Sequence, residues 1–315
     1  VTGKKIKPLL WLTDPWASLD HSSDTTLRLI EECVKLGKAC AWADVRSLRF
    51  ENGRVLVNAK IVEGVYPGRK AEAFRFSEPE AYEPQSFLQI HYRVDPPTDL
   101  AYTQPLQILA AASGLPDVVN PIERLLGLNE KIEALSLGHH SPPSVVASDY
   151  DTLMKFLRAQ KRAVLKPLHQ AQSKGVELID LSLSPDPRMA LEAATDGFCR
   201  PVILQVFLEG IRDGETRLWF VDGTLLAQVR KKPAPGEFKI DMDRGGTVGR
   251  TELSSKDEKV VTAISKRLKA TGVRLAAVDL IDSQVTDWNL TSPGLIVQME
   301  SLLGENLAEK IVSAL

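Results

Sequence analysis

Short apolar runs closed by turn residues alternate along this chain with segments whose apolar positions recur every three to four residues. That is the pattern of strands interleaved with helices. Leu9-Leu10-Trp11-Leu12, ended by Thr13-Asp14-Pro15, reads as a buried strand entering a turn. A helix signal follows, with Ser22, Ser23 or Asp24 as cap, Leu27, Ile30 and Val34 on one face and Gly37 as stop. The apolar strand at 39–43 completes a strand–helix–strand unit, the building block of a parallel α/β sheet. Asn52-Gly53, between β-prone segments 48–51 and 54–57, predicts a hairpin. A strand over 86–93, a helix over 99–112 ending at Gly114 and a strand at 117–120 complete an open α/β domain spanning 1–120.

Asn120-Pro121 marks a boundary, and a compact α+β unit is predicted over 121–200. It holds helical residues around 129–131, a break at Ser141-Pro142-Pro143 and a strand at 144–147. Ser148 is placed to cap a helix with Leu153, Phe156 and Leu157 on its apolar face. A strand over 162–168 runs into a polar loop reaching Gly175, and a helix at 189–194 lies between Pro185, Pro187 and Gly197. The third block, 201–315, opens with a strand at 202–208 and a hairpin, 216–221 with 224–230, around Asp222-Gly223. The loop over 231–249 is rich in Gly, Pro and charge, and its length marks a lid or binding loop. A helix over 255–271 stops at Gly272, a last hairpin follows, and an amphipathic helix over 305–315 closes the chain.

That last hairpin carries the chemistry. Two β-prone runs, 277–281 and 285–289, flank a polar turn. With the turn centred on Ser283, Asp279 lies across from Asp287, and Asp287 and Asn289 share a face. Three hard oxygen donors on one face suit Mg²⁺. Taken alone, the same residues also describe a solvated hairpin face with ordinary surface acids.

Composition narrows the classes. The 315 residues are 43% hydrophobic and 25% charged, the balance of a soluble globular protein with two or three subdomains. A net charge of −2 makes no electrostatic case for nucleic acid or anionic membranes. No stretch approaches the ~20 apolar residues of a membrane helix. Val1 to Lys5 lead straight into the first strand without a signal peptide, so a cytoplasmic protein is expected. Cys33, Cys40 and Cys199 follow no metal or redox spacing and fit a reducing compartment. His139-His140 reads as a loop, because adjacent residues seldom converge on one metal. Gly245-Gly246-Thr247-Val248-Gly249 does not sit between strand and helix and is no dinucleotide fingerprint.

Dispersed motifs add up in order and spacing: Asp14-Pro15, Asp24-Thr25-Thr26, Asp95-Pro96-Pro97, Asn129-Glu130-Lys131, Val164-Leu165-Lys166-Pro167-Leu168, Gln205-Val206-Phe207-Leu208, Asp213-Gly214-Glu215-Thr216-Arg217, Gly245-Gly246, and Asp279 with the run from Asp287 to Pro293. From Asp14 to the C-terminal helix, this series resembles bacterial glutathione synthetases of the ATP-grasp superfamily. The resemblance implies an N-terminal α/β domain followed by two α+β subdomains that grip ATP. It also implies activation of a carboxylate as an acyl phosphate, which an amine attacks to form an amide; the default reaction joins γ-glutamylcysteine to glycine.

By that resemblance, Lys131 and Lys166 are the nucleotide-binding lysines, Gln205, Val206, Phe207 and Leu208 meet adenine, and Glu215 meets the ribose. Arg217 and Arg230 match arginines that stabilise charge developing at the transferred phosphoryl group. Asp279, Asp287 and Asn289 match the Mg²⁺ ligands, which resolves the hairpin as a metal site. Asp14, Asp24, Thr25, Arg93 and Ser292 match the peptide-substrate side. Small-molecule substrates and a homotetramer are implied.

The pattern departs from the family in three places. The phosphate-covering loop is glycine-rich in the family but keeps only Gly175 over 169–175 here, leaving Ser173 and Lys174 to supply donors. Asp287 stands where the family has Glu, a side chain shorter by about 1.5 Å. In the lid loop, Lys239 and Asp241 stand where the family has Arg and Asn, which affects substrate recognition. Two alternatives therefore stand beside the default: a related ligase with other substrates, and a nucleotide-binding relative with weak catalysis.

Overall fold

The computed structural model describes residues 6–68, 71–171, 173–184 and 186–315. The chain start at 1–5, Gln172 of the polar loop and Pro185 before the 189–194 helix lie outside the described residues.

The expected alternation builds the first sheet. Strand β1 (Leu9–Thr13), helix α1 (Thr25–Lys35) and β2 (Cys40–Asp44) follow one another, and β2 pairs with β1 in parallel. Asp24 caps α1 by accepting from the Leu27 amide at 2.9 Å. β3 (Arg49–Glu51) and β4 (Arg54–Val65) form the predicted hairpin, with Asn52 and Gly53 both at the positive φ of a type I′ turn. β4 runs on past residue 57 and carries the short strands β5 (Phe74–Phe76) and β6 (Glu80–Tyr82). β7 (Gln89–Arg93) starts later than expected because Pro84–Ser86 coils into a 3-10 turn. Helix α2 (Leu100–Ala110), capped by Asp99, and β8 (Asp117–Val119) complete this layer.

The sheet order is β3-β4-β2-β1-β7-β8. β1 is parallel to both β2 and β7, with Thr13 beside Arg93. The C-terminal ends of β1 and β7 therefore deliver Asp14 and Arg93 to one edge, where open α/β sheets place their ligands.

Helices α3 (Ile122–Gly127) and α4 (Glu130–Leu135) lead to a second, antiparallel sheet. It is built from β9 (Ser144–Ala147), helix α5 (Tyr150–Gln160), β10 (Arg162–Pro167), β11 (Glu177–Asp180), helix α6 (Arg188–Ala194) and β12 (Val202–Val206), in the order β11-β10-β12-β9. Leu153, Leu157, Leu165 and Leu204 centre its own apolar core. Asp149, not Ser148, caps α5, because its carboxylate reaches the Thr152 amide at 2.8 Å. β11 went unpredicted: it is a short edge strand whose four residues include a single buried one. Phe207 and Leu208 leave β12 before a 3-10 turn at Glu209–Asp213.

The third sheet has the order β15-β14-β13-β16-β17, formed by β13 (Glu215–Val221), β14 (Thr224–Lys232), β15 (Thr247–Gly249), β16 (Leu275–Ile281) and β17 (Gln284–Asn289). Helix α7 (Ser255–Thr271) covers one face and has a Ser254–Asp257 capping box and a left-handed Gly272 at its end. The expected single closing helix is two, α8 (Ile296–Leu303) and α9 (Leu307–Ala314). α8 escapes a local reading because Leu295-Ile296-Val297 follows Pro293-Gly294 and looks like a strand start.

Both closing helices return to the N-terminal layer. Arg28 of α1 binds Glu32, Glu300 and Asn306. The Asn120 amide bridges the layers by donating to the carbonyls of Leu275 and Leu290. One apolar core joins Leu10, Leu12 and Tyr92 to Val278, Leu280 and Trp288.

Candidate active site

The hairpin closes through Asp282-Ser283, both at positive φ, and sets Asp279 opposite Asp287 and Ala277 opposite Asn289. On its other side Asp279 is opposite Arg217. Arg217, Asp279 and Asp287 thus form one row across β13, β16 and β17. Arg217 holds Asp279 in a fork, Nε to Oδ1 at 2.9 Å and Nη2 to Oδ2 at 2.6 Å. Lys231 stands opposite Glu215 and bridges it to Asp279, whose Oδ2 lies 3.4 Å away.

Strand alternation sorts the cations. Glu215, Arg217 and Lys231 share the face of Asp279. Arg230, opposite Thr216, lies on the α7 face and donates to the Gly214 carbonyl at 3.5 Å. The structure therefore gathers Arg217 into the site and places Arg230 outside it. Lys231, which sequence reading missed, is the second buried cation; only the pairing register distinguishes it from its neighbour.

Burial alone would raise the Asp279 carboxyl, but Arg217 and Lys231 override it and hold it well below the carboxylate range. Burial pushes Glu215 up, with the Asp279 charge adding to the effect.

Three further elements converge here. Lys166 of β10 reaches across to β17, donating to Gln205 Oε1 at 2.9 Å and to the Thr286 carbonyl at 2.7 Å. Burial depresses its ammonium, and Asp287 opposes that shift. Lys131 donates to the Gln170 carbonyl, while Asn129 caps α4 and donates to the Leu168 carbonyl at 2.8 Å. Glu130, also missed, accepts from the amides of Leu290 and Thr291 at 2.6 and 2.9 Å and from the Thr291 hydroxyl at 3.0 Å. It clamps the exit of this hairpin to α4. A local reading sees Glu130 only as a first-turn acid.

The loop residues stand apart. Lys174 is exposed, its amide donating to the Ala171 carbonyl at 3.1 Å, and Gly175 takes positive φ where a Cβ would meet Pro167 Cγ at 2.8 Å. Val206 ends β12, and Leu208 precedes the 3-10 turn. Phe207 meets Phe238 edge-on and lies under Arg162. Lys239 sits near the Phe238 ring, and Asp241 pairs with Arg244.

The N-terminal candidates form a second group beside the loop after β17. Arg93 donates to Thr26 Oγ1 at 3.1 Å and to the Pro293 carbonyl at 2.8 Å. Asp14 accepts from the Asp95 amide at 2.8 Å, and Ser292 lies near enough to the Asp95 carboxyl to oppose the upward shift that burial gives it. Burial raises both Asp24 and Asp95. Thr25 is occupied in docking α8, accepting from the Ile296 amide at 3.2 Å.

Two carboxylates and an amide oxygen on adjacent strands fit Mg²⁺. Asn289 spends its Nδ2 on the Ala277 carbonyl, leaving Oδ1 available. Asp279 Oδ1 keeps an acceptor position beyond the Arg217 fork, whereas Oδ2 accepts from both Arg217 and Lys231. Lys131, Lys166, Arg217 and Lys231 supply the positive charge a polyphosphate requires.

A nucleotide-binding α+β pair behind an α/β domain, with buried lysines facing a carboxylate hairpin, defines an ATP-grasp ligase. Residues 8–125 match the prokaryotic glutathione synthetase N-terminal domain, and 130–304 match the prokaryotic glutathione synthetase ATP-grasp domain. The chain belongs to the prokaryotic glutathione synthetase family. It is 29% identical to the glutathione synthetase of Parasynechococcus marenigrum (strain WH8102), over 97% of this chain and 98% of that one. It is 26% identical to that of Rhodopseudomonas palustris (strain ATCC BAA-98 / CGA009), over 95% and 94%. In fold it is similar to the crystal structure of D-cycloserine synthetase DcsG, with TM-score 0.68 and 20% identity over 97% of this chain and 98% of that chain. It is also similar to ATP-grasp ligase PsnB complexed with minimal precursor, with TM-score 0.62 and 14% identity over 98% of both chains. The protein is an ATP-dependent carboxylate–amine ligase of glutathione synthetase type, and ATP and Mg²⁺ are its cofactors. Among the described residues no helix is long and apolar enough to cross a membrane.

Proposed function

We propose that the protein joins γ-glutamylcysteine to glycine: the cysteinyl carboxylate of γ-glutamylcysteine takes the γ-phosphoryl group of ATP to form an acyl phosphate with release of ADP, and the glycine amine attacks that carbonyl and displaces phosphate. The observation that carries this reading is the row Arg217–Asp279–Asp287, with Asp279 buried and the other two half-buried, flanked by Lys231 and Lys166. Its cations would balance the phosphoryl oxygens as charge builds, in a site where burial strengthens each interaction. Asp279, Asp287 and Asn289 would hold Mg²⁺, which supplies Lewis-acid neutralisation of the phosphates when bound. Asp14, Asp24, Arg93 and Ser292, at the edge of the first sheet, would face the peptide.

The test is ADP release by purified protein given Mg-ATP, γ-glutamylcysteine and glycine. Release that does not exceed that with ATP alone removes the glutathione assignment. Lys239 and Asp241, which stand where the family has Arg and Asn, favour a second reading in which a different acid or amine is joined. A panel of amino acids and short peptides separates the two. A protein that only binds nucleotide would gain about 2.7 kcal/mol at Mg-ATP 100-fold above its Kd and show no turnover with any pair. The family resemblance supports a homotetramer, and the three unbridged cysteines support a reducing compartment.

A further inference from the structure

The loop over 169–175 keeps a single glycine, yet it follows a path of the kind glycines favour. Ser173 takes φ 58°, a left-handed conformation that a residue with a Cβ adopts only at a cost, and Gly175 takes φ 67°. Such a loop has to be held from outside.

Tethers from two other parts of the fold hold it. Asn129 donates to the Leu168 carbonyl at 2.8 Å, and Lys131 Nζ donates to the Gln170 carbonyl. Between them, the Thr98 amide donates to the His169 carbonyl at 3.1 Å. Thr98 and His169 meet a second time through their side chains, Oγ1 and Nδ1 sharing a hydrogen bond at 3.2 Å.

The tethers decide which way the backbone faces. Within a planar trans peptide the carbonyl and the following N–H point to opposite sides. Holding the carbonyls of 168, 169 and 170 therefore turns the amides of His169, Gln170 and Ala171 away from Asn129, Thr98 and Lys131. Among the described residues those three amides donate to no other group. Successive unspent amides are what an anion needs, and here carbonyl tethers supply the order that glycines would otherwise make possible.

Thr98 is a firm anchor. It lies between Pro96-Pro97, whose rings fix φ, and Asp99, which caps α2 by accepting from the Ala101 amide at 2.8 Å. The same segment begins with Asp95, whose amide donates to Asp14 just past β1. The loop is thus fastened to the edge of the first sheet.

We propose that Thr98 and His169 are positioning residues for phosphoryl transfer: their paired backbone and side-chain hydrogen bonds hold the 169–175 loop against the first domain, with its amides toward the outer phosphates of ATP. This role rests on the reading of 169–175 as the loop that covers the phosphates; it requires no particular acid or amine.

The test is calorimetric titration of the Mg²⁺ complex of AMPPNP, a non-hydrolysable ATP analogue, into the full chain and its variants, with AMP titrated in parallel. Thr98→Val and His169→Ala should each weaken AMPPNP by about three- to tenfold, the scale of one hydrogen bond. The double variant should bind no more weakly than either single one, because both remove the same contact. Thr98→Ser, which keeps the hydroxyl, should bind as wild type does. AMP, which lacks the outer phosphates, should bind all of these proteins equally. Wild-type affinity for AMPPNP in Thr98→Val overturns the proposal. So do additive losses in the double variant, which would mean separate contacts, or an equal loss for AMP, which would mean general loosening. None of these titrations contains γ-glutamylcysteine or glycine, so their outcome is separate from that of the ADP-release test.

Discussion

Arg230 stands opposite Thr216 across β13 and β14, one position out of step with Lys231, which stands opposite Glu215. Alternation then sends the two neighbouring cations to opposite faces of the sheet. Lys231 joins the charged row and Arg230 the α7 side. Lys231→Met is expected to lower kcat by about 10²-fold, the usual scale for losing a preorganised charge at a transition state. Arg230→Met is expected to stay within about threefold of wild type, under 1 kcal/mol of barrier. Steady-state ADP release decides it; a reversed ranking would mean that β14 slips by one residue when the site is loaded.

Asp287 is the shorter of two possible carboxylates on a hairpin that already sets it opposite Asp279. Asp287→Glu is predicted to preserve or raise Mg-ATP turnover, because the added reach, about 1.5 Å, brings the carboxylate into a position a water would otherwise fill. Activity is measured across a Mg²⁺ titration. A collapse of turnover would show that the site is built around the short side chain.

Glu130 holds the exit of the same hairpin through three hydrogen bonds to Leu290 and Thr291. Glu130→Ala strands two buried amides and should cost about 2–5 kcal/mol of stability. It should also raise the Mg²⁺ concentration needed for half-maximal turnover, because Asn289 adjoins the released segment. Urea unfolding and the Mg²⁺ titration test the two effects separately. Lost stability with an unchanged Mg²⁺ requirement would restrict Glu130 to a structural role.

His91 makes folding sensitive to acid. Its pKa falls from the ordinary ~6.5 to about 3 in the folded protein, through burial. Between those values the unfolded chain binds a proton that the folded chain refuses. The favourable contribution is complete above pH ~6.5 and declines as pH falls, by about 1.4 kcal/mol per unit. His91→Phe should remove that slope while keeping the stack on Trp11. Unfolding free energies of both proteins between pH 4 and pH 8, conditions chosen to span ~6.5, test this; parallel curves would show that His91 is protonated in the fold.

Local signals alone determined much of this protein. Asn52-Gly53 specified its turn because only certain residues tolerate positive φ, and Ser254, Asp257 and Gly272 bounded α7 through bonds made within a few residues. A turn centred on Ser283 predicts the Asp279–Asp287 pairing; the turn instead closes on Asp282-Ser283, setting Ile281 against Gln284 and Leu280 against Val285, and a bulge beyond Leu280 brings Asp279 opposite Asp287. What tertiary structure alone decided depends on partners distant in sequence. Glu130 meets residues 160 positions away, Lys166 reaches 120 positions to Thr286, and Asn120 ties β8 to β16 across 155. The choice of Lys231 over Arg230 rests on how β14 registers against β13, which composition cannot encode one residue at a time. α8 and β11 likewise owe their form to what covers them, α1 for the helix and β10 for the strand. Short-range hydrogen bonds and turn sterics are written in neighbouring residues; buried charge pairs exist only once the sheets have closed around them.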